Sequence, residues 1–367
     1  LGPVGGGKSS IAERLKLLRN AEGKQGQVLW AILRNAFHYA AVHLASIADN
    51  ARDVDFCMRW GFGMKQGPFE LWQEAGWLEV AKMVQEDIDA GKALCKAPLP
   101  EWVFKGPVAE RGGVHQPEGS FNPTTGQFVA PRSLPVYARQ HFPESVLGAN
   151  APSAKTAGTT LFEDESIRLW TLDTDQDGPS GSRVLIASIK TKMHAIGGGV
   201  IEGLLKAQAM AEESYQGLVV WSPDELFSAG ADLQSMLPAF MMGGSKAVEG
   251  AEAELQKAML ALRYSNVPVV SAIRGIALGG GCELAIYSSK RVAAMESYIG
   301  LVEVGVGLVP GAGGLTYIAR RAAENMQLST SKDVLPFLTE GFTAAAMAKV
   351  GTSALESRKL GYLLESD

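Results

Sequence analysis

An apolar, β-branched run, Val269, Val270 and Ile273, carries the chain into three consecutive glycines, Gly279, Gly280 and Gly281, followed at once by Cys282 and Glu283. A strand that breaks into glycines and restarts as a helix leaves main-chain N–H groups open to a ligand oxygen, because no Cβ stands in front of them. Glu283 lies three residues past the middle glycine, close to whatever that N–H holds. A second carboxylate, Glu303, follows twenty residues later and precedes another glycine-rich turn, Pro310 to Gly314. Residues 268–314 therefore predict strand, glycine turn and helix, with two acids and a main-chain donor beside an oxygen-bearing ligand.

A chain of 367 residues is long enough for roughly two domains. With 46% hydrophobic and 20% charged residues it reads as an ordinary soluble globular protein. The net charge of −5 argues against a nucleic-acid or anionic-membrane binder. Cys57, Cys95 and Cys282 are too few and too scattered for a disulfide framework or a zinc site, which points to a reducing, cytoplasmic location and no metal. No apolar run approaches the roughly 18–20 residues of a membrane span, and no signal-peptide pattern opens the chain. A start at Leu1 is expected of a piece of a longer protein.

The first hundred residues carry helical spacing. Ile32, Phe37, Ala40, Ala41, Leu44 and Ile47 predict a long, largely buried helix over 28–47, and Asn50 caps the next, with Asp53 at its third position. Pro68 is placed to start another helix, and a further one is expected over 77–90. Helix is expected from 9 to 18 as well. The aromatics here read as core. Residues 2–9, GPVGGGKS, match the phosphate-loop pattern, but that chemistry needs a strand before the glycines and only Leu1 precedes them; a glycine-rich lead into the helix is expected instead. His38 and His43, five apart, do not share a helix face as a metal pair does, and read as core or edge histidines.

Residues 93–160 are rich in proline and glycine and predict a linker with turns, with short strands at 101–104 and 127–129 and part of its length packed on a neighbour. His115 and His141 lie there without companion ligands. From 160 onward strands alternate with helices: strands at 167–172, 184–189, 217–221 and 267–272, helices at 199–214 and 250–263. The strand at 217–221 leads to FSAGADL, residues 227–233, whose small residues let a ligand approach the main chain. Asp232 opens the next helical run, so the N–H near Ala231 points outward as a free donor. Two donors, at Ala231 and Gly280, aimed at one oxygen would stabilise charge developing on a carbonyl. Glycines that merely allow close packing are the other reading. Cys282 reads as a small packing residue, with no histidine nearby in sequence to make it a nucleophile.

Two resemblances follow from these residues. The stretch 53–77, with its WGFG and GPFEL motifs, resembles the helical C-terminal domain of 3-hydroxyacyl-CoA dehydrogenases over about residues 25–92. That family's dinucleotide-binding domain, with its glycine fingerprint and catalytic histidine–glutamate pair, has no counterpart in this sequence, so the resemblance implies NAD only where such a domain precedes it. FSAGADL, IRGIALGGGCELAI and VEVGVGLVPGAGG together resemble the crotonase, or enoyl-CoA hydratase, superfamily over about residues 161–367. The fold implied is the α/β crotonase fold, a ββα superhelix, with a small all-α N-terminal domain. The expected domains are 1–92 (helical, dehydrogenase-type), 93–160 (linker) and 161–367 (hydratase).

The crotonase resemblance places the oxyanion hole at the N–H groups of Ala231 and Gly280 and the catalytic acids at Glu283 and Glu303. It implies hydration of trans-2-enoyl-CoA to 3-hydroxyacyl-CoA in β-oxidation. Glu303 would protonate C2 and Glu283 would orient or activate water, with no cofactor beyond the CoA of the substrate. It puts acyl-CoA contacts at Ala195, Ala229, Asp232, Leu233 and Gln234, in the FSAGADL loop and in a first CoA-contacting loop, 192–196, where the family has asparagine and this chain has His194. A trimer-type homo-oligomer is implied, weakened because the family's C-terminal helices, which cover the acyl pocket and build the trimer, are missing from this sequence. The stretch 332–350 departs from the family as an altered or inserted segment. A Δ3,Δ2-enoyl-CoA isomerase, which manages with one acid/base, and a non-catalytic assembly module of a larger dehydrogenase are the alternatives.

Overall fold

The computed structural model describes residues 9–150, 152–172 and 183–367, with only the main chain described for 236–240. The glycines of the phosphate-loop pattern and Lys8 lie outside the described residues. The chain forms two compact units, Leu1–Ser153 and Ala154–Asp367.

In the first unit, helices α1 (Ile11–Arg19), α2 (Lys24–Ile47), α3 (Ala51–Phe62), α4 (Pro68–Glu74) and α5 (Trp77–Asp89) follow one another closely. Their ends are coded locally. Ser10 and Glu13 make a reciprocal capping box, Asn50 accepts the Arg52 N–H, and Pro68 opens α4. The aromatics form the core: Phe37, Phe69, Trp72 and Trp77 are buried, and the indoles of Trp72 and Trp77 stack 4.4 Å apart. His38 is buried with Nε2 2.7 Å from the Ala97 carbonyl oxygen, and His43 lies against Tyr39.

Much of the expected linker belongs to this core. Val103, Val108, Val114 and Phe121 are buried with the helices, and residues 93–153 fall in the first unit. Proline and glycine frequency misled the reading because these turns carry an apolar residue every few positions, and those residues anchor the path. The expected strand at 101–104 is a 3₁₀ turn, Glu101–Val103, followed by α6 (Pro107–Arg111). A small antiparallel sheet follows: β1 (His115–Gln116), β2 (Gly119–Asn122) and β3 (Gln127–Val129).

His115, left without a role by sequence, sits in a fully buried polar chain. Its Nε2 lies 2.6 Å from Asp55 Oδ2 and its Nδ1 2.9 Å from Ser120 Oγ. Asp55 also accepts the Phe69 and Glu70 N–H groups at the start of α4, 2.9 and 3.0 Å away. One carboxylate thus joins α3, α4 and the hairpin. Replacing it should strand three buried donors, so Asp55→Ala is expected to lower the stability of the first unit by about 3 kcal/mol, read as a fall in the urea midpoint followed by tryptophan fluorescence.

The second unit is built on a six-stranded sheet in chain order: β4 (Thr159–Glu163), β5 (Ile167–Thr171), β6 (Val184–Ile189), β7 (Gly217–Val220), β8 (Val269–Leu278) and β9 (Lys290–Gly300). The first three pair antiparallel and β6 to β9 pair parallel, with α7 (Gly198–Ser214) and α8 (Leu233–Arg263) as crossovers. Strand β5 is buried at every position, Arg168 included, whose guanidinium donates to Thr160 Oγ1 and to the Lys155 and Ala157 carbonyls. Helix α8 begins seventeen residues before the expected 250, with a break at Gly244, where φ is 63°. Strand β8 runs six residues past the expected 272, and α9 (Gly280–Tyr287) follows it directly. Beyond come α10 (Gly314–Leu328), α11 (Leu335–Ala346) and α12 (Ala354–Lys359). The stretch expected as altered or inserted is therefore mostly helix α11, packed beside α10. Among the described residues no helix is long and apolar enough to cross a membrane.

Candidate active site

The site grows from the C-terminal half of β8. Ile276 O accepts the N–H groups of Phe227 and Ser228, and the Leu278 N–H donates to Ser228 O, so the loop after β7 is laid along the end of β8. The contact demands glycine. A Cβ at Gly281 would stand 2.7 Å from Ser228 Cβ, and one at Gly230, where φ is 108°, would stand 2.8 Å from Leu278 O.

Within this loop the amides are used almost completely. Ala229 N–H donates to Met193 O, Gly230 N–H to Ser228 Oγ and Asp232 N–H to Ile196 O. Among the described residues the Ala231 N–H has no acceptor, and neither has that of Gly280, the first residue of α9. A Cβ placed on Gly280 would lie 3.3 Å from Ala231 N. The two amides expected to act together are thus neighbours across a space that only a missing side chain leaves open, at a helix start where donors are favoured.

The acids flank that space. Glu283 is in the first turn of α9 and 2% exposed, and its Oε1 accepts the Gly314 N–H at 2.8 Å. Burial is the main force lifting its pKa from 4.5 to about 8; the Gly314 N–H opposes this, and Glu303 and Glu252 add to it. Glu303 opens the 3₁₀ turn Glu303–Val306 after β9, and a Cβ at Gly279 would come 3.3 Å from its Oε1. Both Glu303 carboxylate oxygens are buried without a hydrogen-bond partner, and desolvation raises its pKa as well. Cys282 is wholly buried, with its thiol pKa pushed well up by burial first and then by the two glutamates.

Sequence reasoning missed Glu252. It projects from α8 beside the glycine turn before α10, where a Cβ at Gly311 would meet its Oε2 at 2.9 Å. That oxygen is buried without a partner, and burial raises the pKa of the group. A lone glutamate within a helix gave no signal; only the packing of α8 against the 310–314 turn reveals it.

The remaining expected contact residues cluster on the loop side. Ala195 and Ala229 are half-buried where the 192–196 and 227–232 loops meet, and Ile196 bridges to Ala231. Leu233 and Gln234 are exposed in the first turn of α8. The Asp232 side chain caps that helix through the Gln234 and Ser235 N–H groups. Met193 and His194 both have left-handed backbone, φ 58° and 49°, a strain of about 1–3 kcal/mol each for residues other than glycine. Among the described residues no group of three or more His, Cys, Asp or Glu could hold a metal ion.

Comparison with known proteins bears on this geometry. Residues 185–348, from β6 to the loop beyond α11, match the enoyl-CoA hydratase/isomerase family. The "Probable 3-hydroxyacyl-CoA dehydrogenase" of Bacillus subtilis is 28% identical over 358 residues, 96% of this chain and 41% of that protein. The "Fatty acid oxidation complex subunit alpha" of Pseudomonas syringae is 38% identical over 110 residues, 30% of this chain and 15% of its own length. The chain thus spans less than half the length of these relatives. Among solved structures, Pseudomonas aeruginosa AtuE superposes with a TM-score of 0.45 at 22% identity, covering 55% of this chain and 71% of its own.

Burial of Glu283 has a measurable consequence. Its folded pKa of about 8 exceeds the unfolded value, so the folded state holds the proton more tightly. Stability should be greatest below the unfolded value and fall as pH rises, levelling off beyond about 8. Glu283→Gln should show a shallower fall and be the more stable protein above pH 8, read from urea midpoints measured across the range.

Proposed function

We propose that the second unit hydrates trans-2-enoyl-CoA thioesters to 3-hydroxyacyl-CoA within fatty-acid β-oxidation. The observation that carries the reading is the meeting of two unpartnered amides, Ala231 and Gly280, with two buried carboxyl groups, Glu283 and Glu303, around Gly279. The thioester oxygen accepts from both amides, which stabilise the enolate that forms as water adds. Glu283 takes a proton from water while the oxygen forms its bond to C3. Glu303 gives a proton to C2, and transfer between the acids restores the resting state. Burial raises the pKa of both acids, and Glu283, at about 8, holds a proton at rest near neutrality; passing that proton to Glu303 readies the pair for this step. The main-chain donors and the acids supply polarisation and protons, so the step asks no metal or redox cofactor of this chain.

The acyl group is apolar in this reading. The turn that carries Glu303 continues into Val304, Val306, Leu308 and Val309, all exposed, a surface suited to a hydrocarbon chain. The product, a 3-hydroxyacyl-CoA, is what a 3-hydroxyacyl-CoA dehydrogenase consumes, and the helical unit resembles part of such an enzyme. The two units then serve consecutive steps, with NAD bound by a domain other than these.

The test is the loss of 2-enoyl-CoA absorbance. Glu283→Gln and Glu303→Gln should each slow hydration at least a hundred-fold. Gly280→Ala, whose methyl group enters the space between the donors, should slow it by about a hundred-fold or more. Parental rates in both glutamine variants would sink the two-acid mechanism. Turnover of a 3-enoyl-CoA without hydration of the 2-enoyl-CoA would make the unit an isomerase, and no binding of acyl-CoA by calorimetry would make it an assembly module.

A further inference from the structure

We infer that His194 is a positioning residue for this site, a latch whose ring ties the 192–194 turn to the 224–231 loop and so fixes the direction of the Ala231 N–H. The ring is buried, with Nδ1 3.1 Å from Phe227 O and Nε2 3.1 Å from Asp224 Oδ2. The main chain of the same residue adds a second tie, because Ser228 Oγ donates to His194 O at 2.7 Å while accepting the Gly230 N–H at 3.1 Å. A third comes from the Ala229 N–H to Met193 O at 3.0 Å. These bonds hold the residues before Ala231, and the Ile196 main chain holds Gly230 and Asp232 on either side of it.

The chemistry of the ring explains why histidine suits the place. Phe227 O can only accept, and so can the Asp224 carboxylate, which the Lys155 ammonium 2.8 Å away, then His194 itself, keep below the usual carboxylate range. A neutral imidazole has one N–H and keeps one of the two bonds; the doubly protonated ring makes both. The left-handed backbone at Met193 and His194 also finds its counterweight here, since relaxing either residue would withdraw the ring and both carbonyls from the loop. Strain held in place by several bonds is a means of presenting one amide at a fixed angle.

The inference rests on the proposed function in one respect: the Ala231 N–H is taken to bind the reacting carbonyl. Two measurements keep the two apart. The first is hydrogen exchange of the 227–232 amides by NMR in the substrate-free parent chain, in His194→Phe and in Asp224→Ala. Exchange at Ala229, Gly230 and Asp232 should quicken at least ten-fold in both variants while the β5 amides stay as in the parent; unchanged loop exchange overturns the latch whatever the enzyme does. The second is steady-state hydration of a 2-enoyl-CoA. His194→Phe should lose at least ten-fold in kcat with KM within three-fold of the parent. His194→Gln, which restores one donor, should recover part of that loss, and Asp224→Ala should fall several-fold. Parental kcat in folded His194→Phe, or in Asp224→Ala should the phenylalanine variant not fold, overturns the positioning role. So does a loss that follows melting temperature across the three variants without recovery by glutamine. A parent chain without hydratase activity would sink the proposed function and leave the exchange result to decide the latch.

Discussion

The loop at 228–231 and the first turn of α9 approach each other more closely than any residue with a Cβ permits. Gly230 and Gly281 make the approach sterically possible, and Gly280 leaves open the space it creates. The rest of the second unit serves this contact. Strand β7 ends beside Ser271, the loop after it is laid along the last residues of β8, and α9 starts after a single connecting residue, Gly279. Ligands gather at the carboxyl ends of parallel strands for this reason, since the loops there converge while their amides are still unpaired. Every amide from 227 to 232 but one finds a protein acceptor, and the exception lies beside the Gly280 amide, which has none among the described residues.

Burial of the acids is the second constraint, and it works against the fold. Glu283 keeps one N–H partner, Glu303 none for its carboxylate, and Glu252 leaves an oxygen unpaired close by. Three carboxyl groups in such surroundings cannot all ionise cheaply, and burial raises the pKa of each. A sequence optimised for stability alone would place apolar or amide side chains here. Local cost of this kind, concentrated where the two unpaired amides also lie, marks a region shaped for chemistry.

How much of this was legible depends on how local each cause is. Asn50, Pro68 and the apolar spacing of 28–47 are local signals, and they placed the helices of the first unit closely. The triple glycine likewise announced a strand-to-helix turn, and FSAGADL a helix start with an outward amide. Residues 93–153 were misread because their order comes from single side chains, Val103, Val114 and Phe121, inserted into a core made by distant helices. The Asp55–His115 pair, sixty residues apart, and Glu252 beside Gly311 have no local trace. Strand β9 and the start of α8 escaped for another reason: exposed positions in β9 and the break at Gly244 blur the periodicity that defines an element.

His194 shows why a departure from a family pattern is informative when the surroundings are known. Read alone, a histidine where the crotonase resemblance leads one to expect asparagine is a substitution without consequence, or a catalytic base out of place. In the fold, both ring nitrogens face acceptors on one loop, and the residue's own carbonyl receives the hydroxyl of Ser228. A ring spanning two acceptors fixes orientation more firmly than a single amide group can, because its two nitrogens diverge within a rigid plane. The same rigidity is what two successive left-handed residues require, since a strained turn persists only where several bonds determine it together. The strain at 193–194 and the unpaired amide at 231 are therefore two ends of one arrangement: the first is sustained by the bonds that leave the second without an acceptor among the described residues.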